Sequence, residues 1–391
     1  MPEWSGEPLR RGSRGESVAQ LQQRLAELGY DPGPVDGRFG PLTEEAVYQL
    51  QADYRLRRDG IAGRQVAQLL GAGFASALRI LHTVSPGEDP YSLAERYGVS
   101  PGLLRRLARQ GGNRRLTPGA RLVIPVRPVL VVVEETGTKR LEQFRRILSQ
   151  NRRQVTALIV PWLTIAPDGV VGGKAESGLW ELAGEFSLPL VAQVKVEAPD
   201  GLVPTGRRRR QAVAEIVRTA TRYRLPGLHL VFDPLASGEQ HPAAALASAL
   251  HRALPASTLL CLEVSSEPAS LPGVGAVAEL AEADCLVVRL PAAPPQPSSA
   301  TEPSEEDRAL LRPFLRRYPA YRLWLGLSAS GSRAGLSARL SLVIRRALSG
   351  VVLWDLAGAP EAVFRAMADL FSVQGSQAWV PGRRNIRGPG A

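Results

Sequence analysis

Apolar positions fall into two regimes along the chain. From Glu16 to Gly29, Val18, Leu21, Leu25 and Leu28 recur at helical spacing, and Gly29 suits a helix stop. The stretch YDPGPVDGRFGPLTEEAV is rich in turn formers and leads into a second helix over 42–55, with Glu44 and Glu45 in its first turn. Asp59-Gly60 makes another turn before a third short helix, 63–70. The pattern predicts a small three-helix bundle over 8–71. Over 79–126 it reads strand, helix, helix, strand. RILHTV and ARLVIPV are the strands, SLAERYG and SPGLLRRLA the helices, and Ser100 with Pro101 caps and starts the second helix. From 129 to 375, near-continuous Val/Leu/Ile strands alternate with helices through eight strand–helix units. They run from VLVVVEE with helix 139–150 to GVVLWDL with helix 360–371, and include a helix at 273–282. Strands apolar on both faces indicate a parallel sheet covered on both sides, and eight units in this length fit a (β/α)8 barrel. A doubly wound open sheet is the alternative. PAAPPQPSSATEPSEE, 291–306, reads as a flexible loop, and 376–391 as a flexible basic tail.

Composition narrows the classes. Two cysteines among 391 residues exclude a disulfide-built scaffold and a cysteine-rich zinc module. Cys261 and Cys285 fall on neighbouring strands and read as buried free thiols. The four histidines show no metal spacing, so neither a metal nor a cofactor is expected. The net charge of +11 invites a nucleic-acid reading, but residues 76–128 alone carry +6, and no base-stacking aromatic motif accompanies them. The reading is therefore no nucleic-acid partner. Arg207–Arg210 read first as a solvated patch and second as a contact for an anionic wall polymer. The N-terminus, MPEWSGEPLRRGSRGE, lacks a signal-peptide apolar core, and no apolar run reaches the length of a membrane span.

Residues 8–71 resemble the peptidoglycan-binding domain of bacterial wall hydrolases. The resemblance rests on Gly12, Leu21, Gln22, Leu25, Leu28, Gly29, Tyr30, Asp36, Gly37, Phe39, Gly40, Thr43, Ala46, Val47, Gln51 and Gly60, with Leu50 where that family usually has Phe. Residues 79–126 resemble the LysM module through His82-Thr83-Val84, Gly87, Glu88, Asp89, Ser92-Leu93-Ala94, Tyr97-Gly98-Val99, Leu104, Leu116, Pro118-Gly119, Leu122 and Ile124-Pro125. That resemblance implies binding of N-acetylglucosamine-containing glycan in a groove between the loops 85–90 and 116–119. Its substrate-binding residues would be Gly87, Glu88, Asp89, Pro90, Leu116, Thr117, Pro118 and Gly119. Pro90-Tyr91 depart from the usual Thr-Leu, and Arg109-Gln110 sit near a frequent Asn.

RLPGLHLVFDP resembles the fourth-strand signature of glycoside hydrolase family 18, Asp-Gly-x-Asp-x-Asp-x-Glu. ALIVPWLTIAPDGVVGG and SGVVLWDLAG resemble the second and eighth strands of its spore-cortex and germination branch, with Trp354 at the floor of the sugar site. The signature is broken where catalysis lives. His229 and Val231 take the aspartate positions, Asp233 takes the glutamate position, and Leu290-Pro291 fall near the sixth-strand Tyr-Asp pair. In this family the glutamate protonates the glycosidic oxygen while the aspartate two residues earlier orients the substrate's acetamido group. Valine cannot do that, and ~1 Å of misplacement at the shorter Asp233 can cost ~100-fold. The expectation is a peptidoglycan-binding protein of the cell wall or spore wall with a degenerate, non-catalytic barrel. The alternative is an active spore-cortex N-acetylglucosaminidase with Asp233 as its catalytic acid. Strand alternation puts 229, 231 and 233 on one face, so His229 reads as a packed, hydrogen-bonded histidine. Trp354 and Trp162 are candidates for stacking on sugar. The resemblance also implies synthesis in the cytoplasm, assembly in the mother cell and spore coat proteins as partners.

Overall fold

The computed structural model describes residues 8–54, 56–71, 79–97, 99–110, 116–134, 137–173, 176–197, 205–233, 240–255, 258–265, 283–291, 302–318, 320–356 and 360–373. The helix expected at 273–282, most of the loop 291–306 and the tail 376–391 lie outside them.

The N-terminal region is a bundle of α1 (Glu16–Glu27), α2 (Pro41–Asp53) and α3 (Arg64–Gly71). Gly29, at φ 82°, ends α1 in a left-handed turn, and the Tyr30 N–H returns to the Leu25 carbonyl at 2.9 Å. Val18, Leu21, Leu25, Phe39, Val47 and Leu50 are buried together. Leu50, the departure from the family's Phe, therefore holds a core position. Each Asp-Gly turn is clamped by a glutamine from the helix before it. The Gln22 amide donates to Asp36 Oδ1 (3.1 Å) and Thr43 Oγ1 (3.2 Å) and accepts from the Gly37 N–H (2.9 Å). The Gln51 amide donates to Asp59 Oδ1 (2.8 Å) and accepts from the N–H groups of Asp59 (3.0 Å) and Gly60 (2.9 Å).

The next region is β1 (Arg79–Thr83), α4 (Pro90–Tyr97), α5 (Pro101–Gln110) and β2 (Arg121–Pro125), with the strands paired antiparallel. The Ser100 hydroxyl accepts from the Leu103 N–H at 3.1 Å, which is the expected cap.

The remaining strands are β3 (Val129–Val132), β4 (Ala157–Ile165), the short β5 (Val171–Gly172), β6 (Leu190–Glu197), β7 (Gly227–Asp233), β8 (Leu259–Ser265), β9 (Cys285–Arg289), β10 (Leu323–Ser328) and β11 (Gly350–Trp354). Their order is β3-β11-β10-β9-β8-β7-β6-β4-β5, and β3 also pairs with β4. Eight parallel strands thus close on themselves, with β5 antiparallel to β4 at the rim. Closure rules out the open doubly wound sheet. The described helices between them are α6 (Thr138–Asn151), α7 (Ser177–Glu185), α8 (Gly206–Arg222), α9 (Gln240–Ala253), α10 (Glu305–Arg317), α11 (Arg333–Arg345) and α12 (Pro360–Ala368).

Strand alternation divides the barrel's apolar residues. Val131, Leu158, Leu230, Leu262 and Leu325 pack outward with helix residues such as Phe144, Ile216, Leu250 and Phe364. Leu130, Ile159, Val191, Cys261, Cys285, Trp324 and Trp354 form a cluster of strand residues alone, which is the barrel interior. Two inward glycines make room for its indoles. A Cβ on Gly326 would lie 2.7 Å from Trp354, and one on Gly350 would lie 2.5 Å from Trp324. Cys261 and Cys285 are partners in register on β8 and β9 with Cα atoms 4.7 Å apart, and they are disulfide-bonded. That corrects the expectation of free thiols: cross-strand register brings the two residues within bridging range, which one strand's sequence does not reveal.

The LysM-like region is docked on the barrel at the end where the strands begin. Ser372 pairs with Val126, and its N–H donates to the Pro125 carbonyl at 2.7 Å. The Ser100 N–H donates to the Ala368 carbonyl (2.8 Å), and Arg153 Nη1 to the Glu95 carbonyl (2.9 Å). Arg127, in the short link to β3, is buried and donates from Nε to the Leu348 carbonyl at 2.7 Å. Among the described residues, no helix is long and apolar enough to cross a membrane.

Candidate functional site: two paired loops and a filled barrel

The two loops expected to form a glycan groove lie side by side. The Val84 N–H donates to the Ala120 carbonyl (2.9 Å) and the Gly119 N–H to the Val84 carbonyl (2.8 Å). Gly87 and Gly119 both sit at φ 85°, a left-handed turn that favours glycine. Gly87, Asp89, Thr117, Pro118 and Gly119 are exposed, while Glu88, Pro90 and Leu116 are half-buried.

The acidic side chains here are committed to the loop itself. Glu88 accepts from the Ser85 N–H (2.9 Å), His82 Nε2 (2.7 Å) and Arg96 Nη1, and His82 Nδ1 meets the Tyr97 hydroxyl at 2.9 Å. The Ser85 N–H above all, with burial opposing it and His82 and Arg96 adding to it, holds the Glu88 carboxyl down from the ordinary 4.5 to about 2. Asp89 caps α4, accepting from the N–H groups of Tyr91 (2.7 Å) and Ser92 (2.7 Å), with Pro90 at the first helical position. Those backbone bonds also keep the Asp89 carboxyl below its usual range. Tyr91 is 65% exposed beside the loop, with the Arg105 guanidinium 5.4 Å from its ring centre.

Inside the barrel, His229 faces inward and is fully buried. Its Nε2 meets Glu263 Oε2 at 2.8 Å, and Nδ1 has no hydrogen-bond partner among the described residues. Glu263, one strand over on β8, also accepts from Arg289 Nη1 at 3.3 Å. The Arg289 guanidinium in turn lies 4.9 Å from the Trp354 ring centre. The interior near the broken signature thus holds a His229–Glu263–Arg289 chain capped against an indole. Trp354 is 3% exposed, pressed between Gly326 and Arg289.

Asp233 ends β7, in register with Glu197 on β6. Val231 is half-buried beside Lys195 on β6. Trp162 faces outward with Leu158 and Val160, as strand alternation requires, and the bulge between Pro161 and Leu163 then turns Leu163 and Ile165 to the same side. It packs edge-on against Trp180 (5.4 Å) and Tyr223 (4.9 Å).

Glu263 and Arg289 were missed by sequence reasoning. The signal was present, since Glu263 interrupts LLCLEV at an inward position of an otherwise apolar strand. What the sequence lacked was the register that sets it against His229.

Comparison with known proteins gives a family match for each of the two N-terminal regions and a fold match for the barrel. Residues 14–70 match the peptidoglycan binding domain family PG_binding_1, and residues 82–125 match the LysM domain family. Curated relatives match over short stretches of the chain. The zinc D-Ala-D-Ala carboxypeptidase of Streptomyces albus G is 52% identical over 65 residues, 15% of this chain and 24% of that protein. A spore cortex-lytic enzyme of Bacillus cereus is 40% identical over 67 residues, 17% of this chain and 26% of that protein. The chain therefore spans only about a quarter of the length of these curated relatives. Among solved structures, the Bacillus megaterium QM B1551 spore cortex-lytic enzyme SleL aligns with a TM-score of 0.52 at 15% identity, covering 83% of this chain and 96% of that one. A class V chitinase from Pseudomonas fluorescens Pf-5 aligns at 0.51 and 16% identity, covering 64% of this chain and 99% of that one. At those identities the likeness establishes a shared barrel fold.

Proposed function

We propose that this protein binds peptidoglycan, or another N-acetylglucosamine-containing wall glycan, through its two N-terminal modules, and that its barrel is a non-catalytic platform of the cell wall or spore wall. The chain divides in this reading into 8–71, 79–126 and 129–375. The observation that carries it is the contrast between the two ends. The LysM-like loops keep most of the family's residues and are braced by their own hydrogen bonds, whereas the position that should orient an acetamido group is Val231. The nearby buried carboxylate, Glu263, is already held by His229 and Arg289.

Glu88 and Asp89 fix the loop in this reading, and backbone amides and carbonyls of 85–90 and 116–119 meet the sugar. A pre-formed loop pays little ordering entropy on binding, which favours a weak but ready site. Two such modules on one chain raise avidity for a repeating polymer through effective concentration.

The test is co-sedimentation of the full chain with purified peptidoglycan across salt. Binding should weaken with salt yet persist at ~1 M, where the Debye length is only ~3 Å. Complete loss at moderate salt would reduce the interaction to electrostatics and overturn loop recognition.

A further inference from the structure

The barrel's excess charge lies on one helix. Residues 206–224, which are α8 and the turn after it, hold seven arginines against one acid, Glu215. The rest of 129–375 carries 20 basic and 23 acidic groups, so this helix alone turns the barrel's balance positive. Ala212, Val213, Ile216 and Ala220 form the buried face of α8. Arg207, Arg210, Arg218 and Arg222 fall within about a third of a turn on the opposite side and are exposed. Along 17 residues this is a stripe ~25 Å long. Arg218 pairs with Glu215 at 2.6 Å, and Arg222 stacks over Tyr223 at 5.5 Å.

The stripe ends on an aromatic platform. Tyr223 is 42% exposed and Trp180, on α7, is 37% exposed. Their ring centres are 5.9 Å apart with planes only 32° apart. Buried Trp162 supports both edge-on, so the pair is fixed before any ligand arrives.

We infer that α8, with Trp180 and Tyr223, is a second polymer-binding surface on the outside of the barrel, and that its ligand is a carboxylate-bearing glycan strand. Guanidinium groups suit carboxylates through paired hydrogen bonds. The apolar face of a sugar ring suits an indole–phenol pair. A single strand of nucleic acid would call for aromatics interleaved with cations along a groove. Here the aromatics are confined to one end of a convex helix. The inference rests on the wall-binding reading above, since tethering by the N-terminal modules keeps the strand at high local concentration.

The test uses the full chain and purified sacculi from which phosphate polymers have been stripped by acid. The variant Arg207→Gln/Arg210→Gln/Arg218→Gln/Arg222→Gln should bind roughly tenfold more weakly at low salt. It should match the native protein at ~1 M salt, where charge is screened. Trp180→Ala/Tyr223→Ala should bind more weakly at both salt concentrations, because stacking is not screened. Arg222→Gln alone serves if the fourfold variant melts early. Equal binding by the native protein and both variants would overturn the surface while leaving the wall-binding reading intact. Binding restricted to unstripped sacculi, or equal competition by a DNA fragment, would overturn the carboxylated ligand. A native protein that fails to sediment would overturn both readings.

Discussion

His229 and Glu263 show how a polar side chain is accommodated inside the barrel. A buried imidazole on an otherwise apolar strand needs a partner, and the adjacent strand supplies one at 2.8 Å. Glu263→Ala would strand His229 in the barrel core, so it should cost about 3 kcal/mol, read from urea unfolding of the full chain. A change below about 1 kcal/mol would mean the pair contributes little. Glu88 makes a pH-dependent claim. Its folded carboxyl titrates near 2 instead of the ordinary 4.5, so its contribution is fully present above about 4.5 and fades as pH falls towards 2. Protection factors for amide exchange in the loop 85–90, taken relative to the intrinsic rate at each pH, should therefore fall across that acid window, and Glu88→Gln should flatten the response. The sequence made Glu88 visible as a motif residue. Its bonds to His82 and Arg96 became visible only once α4 was folded against β1.

At the scale of elements, short side-chain clamps replace long runs of packing. Gln51 satisfies two N–H groups and one carboxylate of the Asp59-Gly60 turn. Gln51→Leu leaves the two N–H groups unpaired, while the Asp59 carboxylate keeps the Ile61 N–H, and a loss of about 2 kcal/mol in the N-terminal bundle is expected by thermal unfolding. Three helix ends in the barrel reuse one turn. Ser187, Arg224 and Ala347 take positive φ after α7, α8 and α11, and the next leucine's N–H reaches back to Ala183, Ala220 and Val343. A non-glycine residue in that conformation is strained. Ala347→Gly should raise stability by up to about 1 kcal/mol in the same assay, the relief exceeding the entropy glycine adds to the unfolded chain. These turns precede strands at Leu188-Pro189, Leu225-Pro226 and Leu348-Ser349, so the strand starts were legible. The left-handed residue was not, because none of the three is glycine or asparagine.

Over the whole molecule, alternation of apolar strands with helices gave away the barrel, because burial on both faces leaves a continuous apolar run. Contacts that depend on register or docking left no such trace. The Cys261–Cys285 bond and the setting of Glu263 against His229 each depend on a neighbouring strand. The seat of the LysM-like region on the barrel depends on Arg127, Ser100 and Ser372, which are unremarkable in sequence. That seat keeps the loops 85–90 and 116–119 and the barrel in fixed relation. The N-terminal bundle meets the LysM-like region through an exposed pair, Arg121 to Asp31 at 2.8 Å, which salt should weaken. In the proposed function this assembly holds wall glycan without cutting it. That reading is decided by muropeptide release from cortex-type glycan, measured for the native chain, for Asp233→Asn and for His229→Asp/Val231→Asp/Asp233→Glu. Neither the native chain nor Asp233→Asn should release muropeptides. Release by the native chain that disappears in Asp233→Asn would contradict that reading and establish a hydrolase with Asp233 as its acid.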